Sequence, residues 1–404
     1  MAAHGRVPAL LPLALVVAAT ATAVAFAVAS LVALSGSHSY NHSRHVAFVA
    51  GFPAPAATGA RLRGRGRGSR SSIPRSSDAA GTESSSSKGK VRYLPSLDFS
   101  LKEDVVPAEG ILTLPCFPLG GTAYVPHTEQ VLNIFEPRYR EMYSDILLSG
   151  GRRFVVPQIT QDELGGVRLS EVGVVFYLDD LKEVSEQTDD RVKYVCSHSV
   201  ISRVRIKKVL NPPAFADRST YLRVEVEEMV DTDADEESSE LEEQTIATLV
   251  ELASLQEKAK ESVKFRKEAL EKQNVTRGAG FWQTISVWQN YLTSRAQHRQ
   301  NQFEEDVRTK IVDYFKEQKG EIPRQINLAE LPEQQLREIG DLQESFQEEV
   351  NALVNAGSVP VQELVQADSH KARLRLFYAM MDQEKRRMEA RIALNSLFNN
   401  DESA

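Results

Sequence analysis

The chain has 404 residues, 42% hydrophobic and 26% charged, which suits two or three folded domains and excludes global disorder. Two cysteines, Cys116 and Cys196, exclude a disulfide scaffold and a four-cysteine zinc site, and they lie too far apart for a C-x-x-C redox pair. The net charge of −8 joins unlike parts: residues 1–90 carry +8 and the remainder −16. A body that acidic repels phosphate backbones, so no nucleic-acid partner is expected.

His4 and Arg6 precede an uncharged run rich in Ala, Val and Leu, from Val7 to Leu34. The run is long enough to span a bilayer. Its alanine content, with Pro8 and Pro12 at its start, favours a signal peptide with a long apolar region over a retained anchor. Residues 35–90 are dominated by Ser, Gly and Arg, with no acid before Asp78. The tract from Arg61 to Arg70 reads as an RNA-binding arginine–glycine tract or as an acid-poor transit peptide; its place after a signal sequence favours the second. This order resembles the bipartite plastid leaders of algae whose plastids arose by secondary endosymbiosis, which place an aromatic after the signal cleavage point. Ala47-Phe48-Val49-Ala50 fits that place. The resemblance implies import into a plastid and removal of residues 1–90. The alternative is a secretory or membrane-tethered form, with membrane contact only through an uncleaved leader. His38, His42 and His45 have helical spacing, but they lie in this processed segment and are read as leader composition, not as a metal site. Asn41-His-Ser43 and Asn274-Val-Thr276 match the glycosylation sequon, which matters only on a route through the ER.

From Val91 to about residue 230 short apolar runs alternate with Gly, Pro and Asp. Ile111–Leu114 reads as a strand ending at Pro115, and Arg153–Val156 as a second. Gly173–Leu178 is a continuous apolar run, which predicts burial on both faces. Tyr194–Val200 and Val204–Leu210 follow as separate strands. Tyr221–Glu227 alternates, which predicts one wet face. Ile134–Leu148 carries apolar residues at helical spacing. Five or six strands and one early helix predict a small β-barrel or half-open sheet.

The residues Leu114-Pro-Cys-Phe-Pro-Leu119, then Leu132-Asn-Ile-Phe-Glu-Pro-Arg-Tyr-Arg140, Glu171-Val-Gly173 and Ser202-Arg-Val-Arg-Ile206 spell a pattern. It resembles the Lon N-terminal, or Lon substrate-binding, domain, and most of all its stand-alone plastid versions. The resemblance covers about residues 115–230 and implies an α+β chain, in which a small barrel-like (PUA-like) domain precedes a helical C-terminal region. Leu114, Pro115, Phe117, Pro118, Phe135, Glu136, Pro137, Arg138 and Tyr139 carry it. Each has a structural use. Pro115 and Pro118 fix φ and stop a strand. Phe117, Phe135 and Tyr139 anchor the barrel–helix seam. Pro137 suits a first helical turn, with Glu136 at its positive end. Arg138 is suited to pairing with a carboxylate. These residues are expected to staple the fold, not to touch a ligand.

Glu227 to Glu243 holds ten acids and no base. Residues 231–243 read as an exposed, self-repelling linker, since the central Gly and final Glu of a calcium loop are missing. Residues 244–404 read as four amphipathic helices with coiled-coil character. The first runs over Ile246–Ala259. The second starts after Arg277-Gly-Ala-Gly280 and ends before Gly320 and Pro323. The third spans Leu328–Val354 and the fourth Val361–Phe398. Val361–Asp368 followed by Ala372-Arg-Leu-Arg375 adds to the resemblance; residues 270–325 have no counterpart in it.

A full Lon protease continues into an ATPase and a Ser–Lys protease domain. The sequence contains no phosphate-binding loop, no G-x-S-x-G elbow and no H-E-x-x-H. Cys116 or Cys196 with His198 is the remaining nucleophile–base option, and strand cysteines are mostly inert. The expectation is therefore a non-enzymatic protein without cofactor. It would bind a polypeptide substrate or partner protein in plastid protein quality control, through apolar contact and strand addition at an open sheet edge. A structural or assembly factor on a plastid complex, and a cryptic hydrolase, are the rivals.

Overall fold

The computed structural model describes residues 46–47, 91–97, 112–161, 166–320 and 331–401. The arginine–glycine tract, the three leader histidines, the Asn41 sequon and the start of the predicted third helix lie outside them. Among the described residues no helix is long and apolar enough to cross a membrane.

The first half is a seven-stranded sheet. Its strands are β1 (Val46–Ala47), β2 (Leu112–Cys116), β3 (Glu129–Ile134), β4 (Arg153–Val156), β7 (Val172–Glu183), β8 (Tyr194–Val209) and β9 (Leu222–Glu228); β5 (Ile159–Gln161) and β6 (Val167–Leu169) form a separate hairpin. The order β1-β3-β8-β7-β4-β2-β9 has an added β8–β9 pairing, so β8, β7, β4, β2 and β9 close into a ring. One long strand makes closure possible. The first half of β8 pairs with β3 and its second half with β9, while β7 runs along both halves. Register shifts at Val175/Phe176, Leu178/Asp180 and Ile206/Lys208 supply the bend. The two strands expected at 194–200 and 204–210 are therefore one. Gly173 lets β4 approach: a Cβ there would stand 3.0 Å from Val155 Cγ1 and 3.1 Å from the Val156 carbonyl.

The continuous apolar run of β7 is buried on both faces, as predicted. Val172, Val174, Phe176 and Leu178 join a large apolar cluster under the helices. Val175 joins a second one with Cys116, Val155, Val204, Val224 and Val226. Pro115 does not end its strand. It pairs with Arg223 of β9, and β4 joins β2 only from Cys116 onward, so the missing N–H of Pro115 lies in a stretch with one neighbour. The helix expected from Ile134 starts at Pro137 as α1 (Pro137–Leu148). The residues before it form β3, of which the expected helix had included only Ile134. Short α2 (Pro213–Asp217) links β8 to β9.

The second half is helical: α3 (Ser239–Lys258), α4 (Lys267–Leu270), α5 (Ala279–Lys319), α6 (Glu333–Gln366) and α7 (His370–Asp401). Gly278 and Gly320, with φ of 85° and 69°, bracket α5 as the glycine signals predicted. The predicted break between 354 and 361 is absent. α6 runs through Pro360, and Val361, Leu364 and Val365 just beyond it are buried in the main cluster. Packing of that face outweighs one lost hydrogen bond. The chain breaks at residues 367–369 instead, where Asp233 accepts from the amides of His370 and Lys371 at 2.9 and 2.8 Å and Ser369 Oγ accepts from Ala372. A carboxylate far upstream sets this helix start.

Barrel and helices share one apolar cluster that includes Phe117, Phe176, Trp282, Phe377 and Met388. The acidic segment between them is exposed along Asp235, Glu236 and Glu237 but anchored at its start: Asp233 is 5% exposed and Asp231 is held in ion pairs, while Ser239 onward is already α3. The distal part of α5 and the first part of α6 form an antiparallel arm with its own cluster, where Phe303 stacks on Phe346 at 4.4 Å.

Candidate functional site

The two stretches of the first motif meet at one seam. Phe117 is buried and stacks on Tyr139 with ring centres 3.7 Å apart, and Phe154 packs beside it. Pro137 occupies the first turn of α1, and Glu136 is the residue just before it. Arg138 sets Nε and Nη2 on one Glu136 oxygen, both at 2.9 Å, and its guanidinium lies 4.6 Å from the Tyr139 ring centre. The carboxylate expected for Arg138 is thus two residues away. Pro118 is buried; Leu114, Pro115 and Phe135 are half-buried. Arg140, given no role from sequence, donates Nε to the Phe135 carbonyl at 2.9 Å. It also grips Asp190 through both carboxylate oxygens and the main-chain carbonyl. The charged groups of this motif are met locally or by Asp190.

The second set of motif residues also converges. Asp231 receives Arg203 Nη2 at 2.6 Å and Arg373 Nη1 at 2.7 Å, with a second contact to Arg373 Nη2. Arg203 also donates to the carbonyls of Val365 and Ala367, and Arg205 bridges Glu171 and Asp368 at 2.7 and 2.9 Å. Arg277 pairs with Asp233 at 2.6 Å. Arg373 is 2% exposed and lies over the rings of Phe281 and Trp282. Burial works against the Asp231 charge, but Arg373 and Arg203 hold its carboxyl below the usual range. Burial, aided by the Arg373 charge, lowers Arg203 to about 10. The network ties β8 to the α6–α7 junction. Sequence showed its arginines as motif letters but not their shared partner, which lies in the acidic segment.

Cys196 and His198 stand two residues apart on β8, and both are buried. His198 Nε2 is 2.7 Å from the Tyr143 hydroxyl, and Phe154 and Phe176 pack around the imidazole. Burial pushes the Cys196 thiol up to about 12 and His198 down to about 4. Burial likewise raises Cys116. Both thiols are buried, and burial favours their protonated form over the reactive thiolate. No group of His, Cys, Asp or Glu suited to a metal occurs among the described residues.

What remains open is an edge. Inside the ring Leu112–Pro115 of β2 and Asp180–Glu183 of β7 each have one neighbour, and outside it β3 pairs with β8 along its whole length on one side and carries only two-residue β1 on the other. Leu132 and Ile134 are buried and fix the strand, Gln130, Val131 and Asn133 are half-buried, and Glu129 is exposed. A strand edge offers alternating N–H and C=O groups that bind a backbone regardless of its side chains. Sequence reasoning anticipated an open edge but not the strand that supplies it, since residues 129–134 were not read as a strand. A cleft lined by Gly120, Gly121, Ile159, Thr160, Gln161 and Val167 has no titratable side chain.

Residues 113–383 match the family model of the ATP-dependent protease La (LON) substrate-binding domain. Among solved structures the chain is similar to a Lon N-terminal domain protein from Xanthomonas campestris, with 22% identity, 35% of this chain and 72% of that one covered, and a TM-score of 0.26. It is also similar to the N-terminal domain of the Mycobacterium avium complex Lon protease, with 11% identity, 67% of this chain and 98% of that one covered, and a TM-score of 0.32. No curated protein sequence matches it.

Proposed function

Because the chain belongs to the Lon substrate-binding domain family, we propose that it binds polypeptides without cleaving them, as an adaptor in plastid protein quality control. One observation carries the reading of how it binds: β3 lies outside the closed ring, and its outer side has only two residues of partner. An extended segment of an unfolded protein would add there as a strand, held by main-chain hydrogen bonds and by apolar contact. The buried thiols and the lack of nucleotide or hydrolase motifs in the sequence support binding rather than chemistry.

The test uses successive prolines. Neighbouring N–H groups in a strand point to opposite sides, so one of Gln130→Pro and Val131→Pro removes an outward donor and the other a donor to β8. The outward one should keep the native circular dichroism spectrum and weaken binding of a reduced, carboxymethylated protein about tenfold, roughly one lost main-chain hydrogen bond. Unchanged binding by both folded variants would contradict the edge. The plastid address is tested by the first residue of the native protein: a start near 80–95 fits import and leader removal, and a start at or before residue 48 fits the secretory or tethered alternative. The assembly-factor reading draws on the α5–α6 arm, which has a core of its own. One stoichiometric partner in a stromal pull-down, with no unfolded clients, would favour it.

A further inference from the structure

We propose that the β3 edge is occupied in cis by the chain's own Val46-Ala47 segment, a built-in competitor that a client must displace; the inference rests on the polypeptide-binding reading above. β1 lies against β3 in parallel, with Val46 opposite Val131 and Ala47 opposite Leu132. The segment therefore sits on the side of β3 that the ring leaves open.

Three features suit this occupant. Val46-Ala-Phe-Val-Ala50 is a short uncharged run with residues that favour strands, and Gly51 and Pro53 end it. A parallel strand must come from far away in the chain, because no tight turn joins parallel neighbours, and residues 46–47 lie well upstream of β3. The leader is also basic and the body acidic, +8 against −16, with exposed Glu129 at the start of β3. That charge difference draws the two together at low salt.

Tethering makes the competition intramolecular. If the cis segment acts at an effective concentration about ten times its own dissociation constant, a free peptide would bind roughly tenfold more weakly while it is present. Removal of the leader would then expose the edge, and the protein would become receptive to clients only after processing. The same contact would protect an aggregation-prone edge before that step.

The test compares the full chain with a full-length Val46→Pro/Ala47→Pro variant, which removes two strand donors from the leader and alters nothing in the barrel or helices. Two probes are used: a fluorescein-labelled peptide with the sequence of residues 41–53, and a reduced, carboxymethylated protein. The proposal expects both to bind the variant at least fivefold more tightly than the unaltered chain, and the amides of residues 129–134 to exchange faster in the variant alone. Equal binding of the carboxymethylated protein to both chains, with equal exchange, would overturn the cis contact and leave the polypeptide-binding reading standing. No binding of either probe to either chain would overturn both.

Discussion

Asp231 shows how one carboxylate organises distant residues. It neutralises two buried arginines, one from the barrel and one from α7. Asp231→Asn would leave Arg203 and Arg373 buried with too little negative charge, a loss of about 3–5 kcal/mol by comparison with other broken buried pairs. Urea unfolding should report it as a lowered midpoint. A double change with Arg373→Met should recover part of the loss, since the stranded charge is then gone. His198 gives a pH signature. Burial lowers its folded pKa to about 4, below the ordinary value of about 6.5. The neutral form is therefore favoured by the fold. Its contribution is whole above pH 6.5 and declines as pH falls toward 4, by about 3 kcal/mol in all. His370, lowered chiefly by burial, adds the same sign. Unfolding free energy should thus drop across that window, and His198→Gln should flatten the drop; an unaltered slope would mean that the imidazole is not sealed. At this scale the sequence made the Phe-Glu-Pro-Arg-Tyr stretch legible because its partners are near neighbours. It hid Asp231, whose guanidinium partners are 28 and 142 positions away.

At the scale of elements, strands and helices were legible where one periodicity held. β4 appears at its expected residues, and the ends of α5 follow from its glycines. The errors come from tertiary forces that outvote local signals. A break was expected between residues 354 and 361, yet a buried face carries α6 through Pro360. The real break, at 367–369, is set by Asp233 from another segment. β3 was missed, with only its last residue Ile134 placed in the expected helix, because six residues hold too little periodicity to mark a strand. The α5–α6 arm yields a sharp expectation. Phe346 and Phe303 stack within a cluster apart from the main core. Phe346→Ala, which ordinarily costs about 3–5 kcal/mol, should accelerate hydrogen exchange in residues 300–354 and leave β7 and β8 unchanged. Equal acceleration in the barrel would show that arm and body unfold as one unit.

For the whole molecule, closure decides where function can reside. A five-stranded ring closes on itself and shares a core with the helices, so the barrel interior is packed and the motif residues are spent on seams. The edge proposed for a partner is the outer side of β3, which lies outside the ring, with the leader competing for it. The fold class was readable from alternating short apolar runs followed by longer helical ones. The edge was not, because which strand stays outermost depends on the pairing of β8 with both β3 and β9. The most direct test is hydrogen exchange of the Val46→Pro/Ala47→Pro chain with and without saturating reduced, carboxymethylated protein. Slowed exchange confined to residues 129–134 is the expected result. Slowed exchange elsewhere, such as the α5–α6 arm, with 129–134 unaltered, would contradict the account.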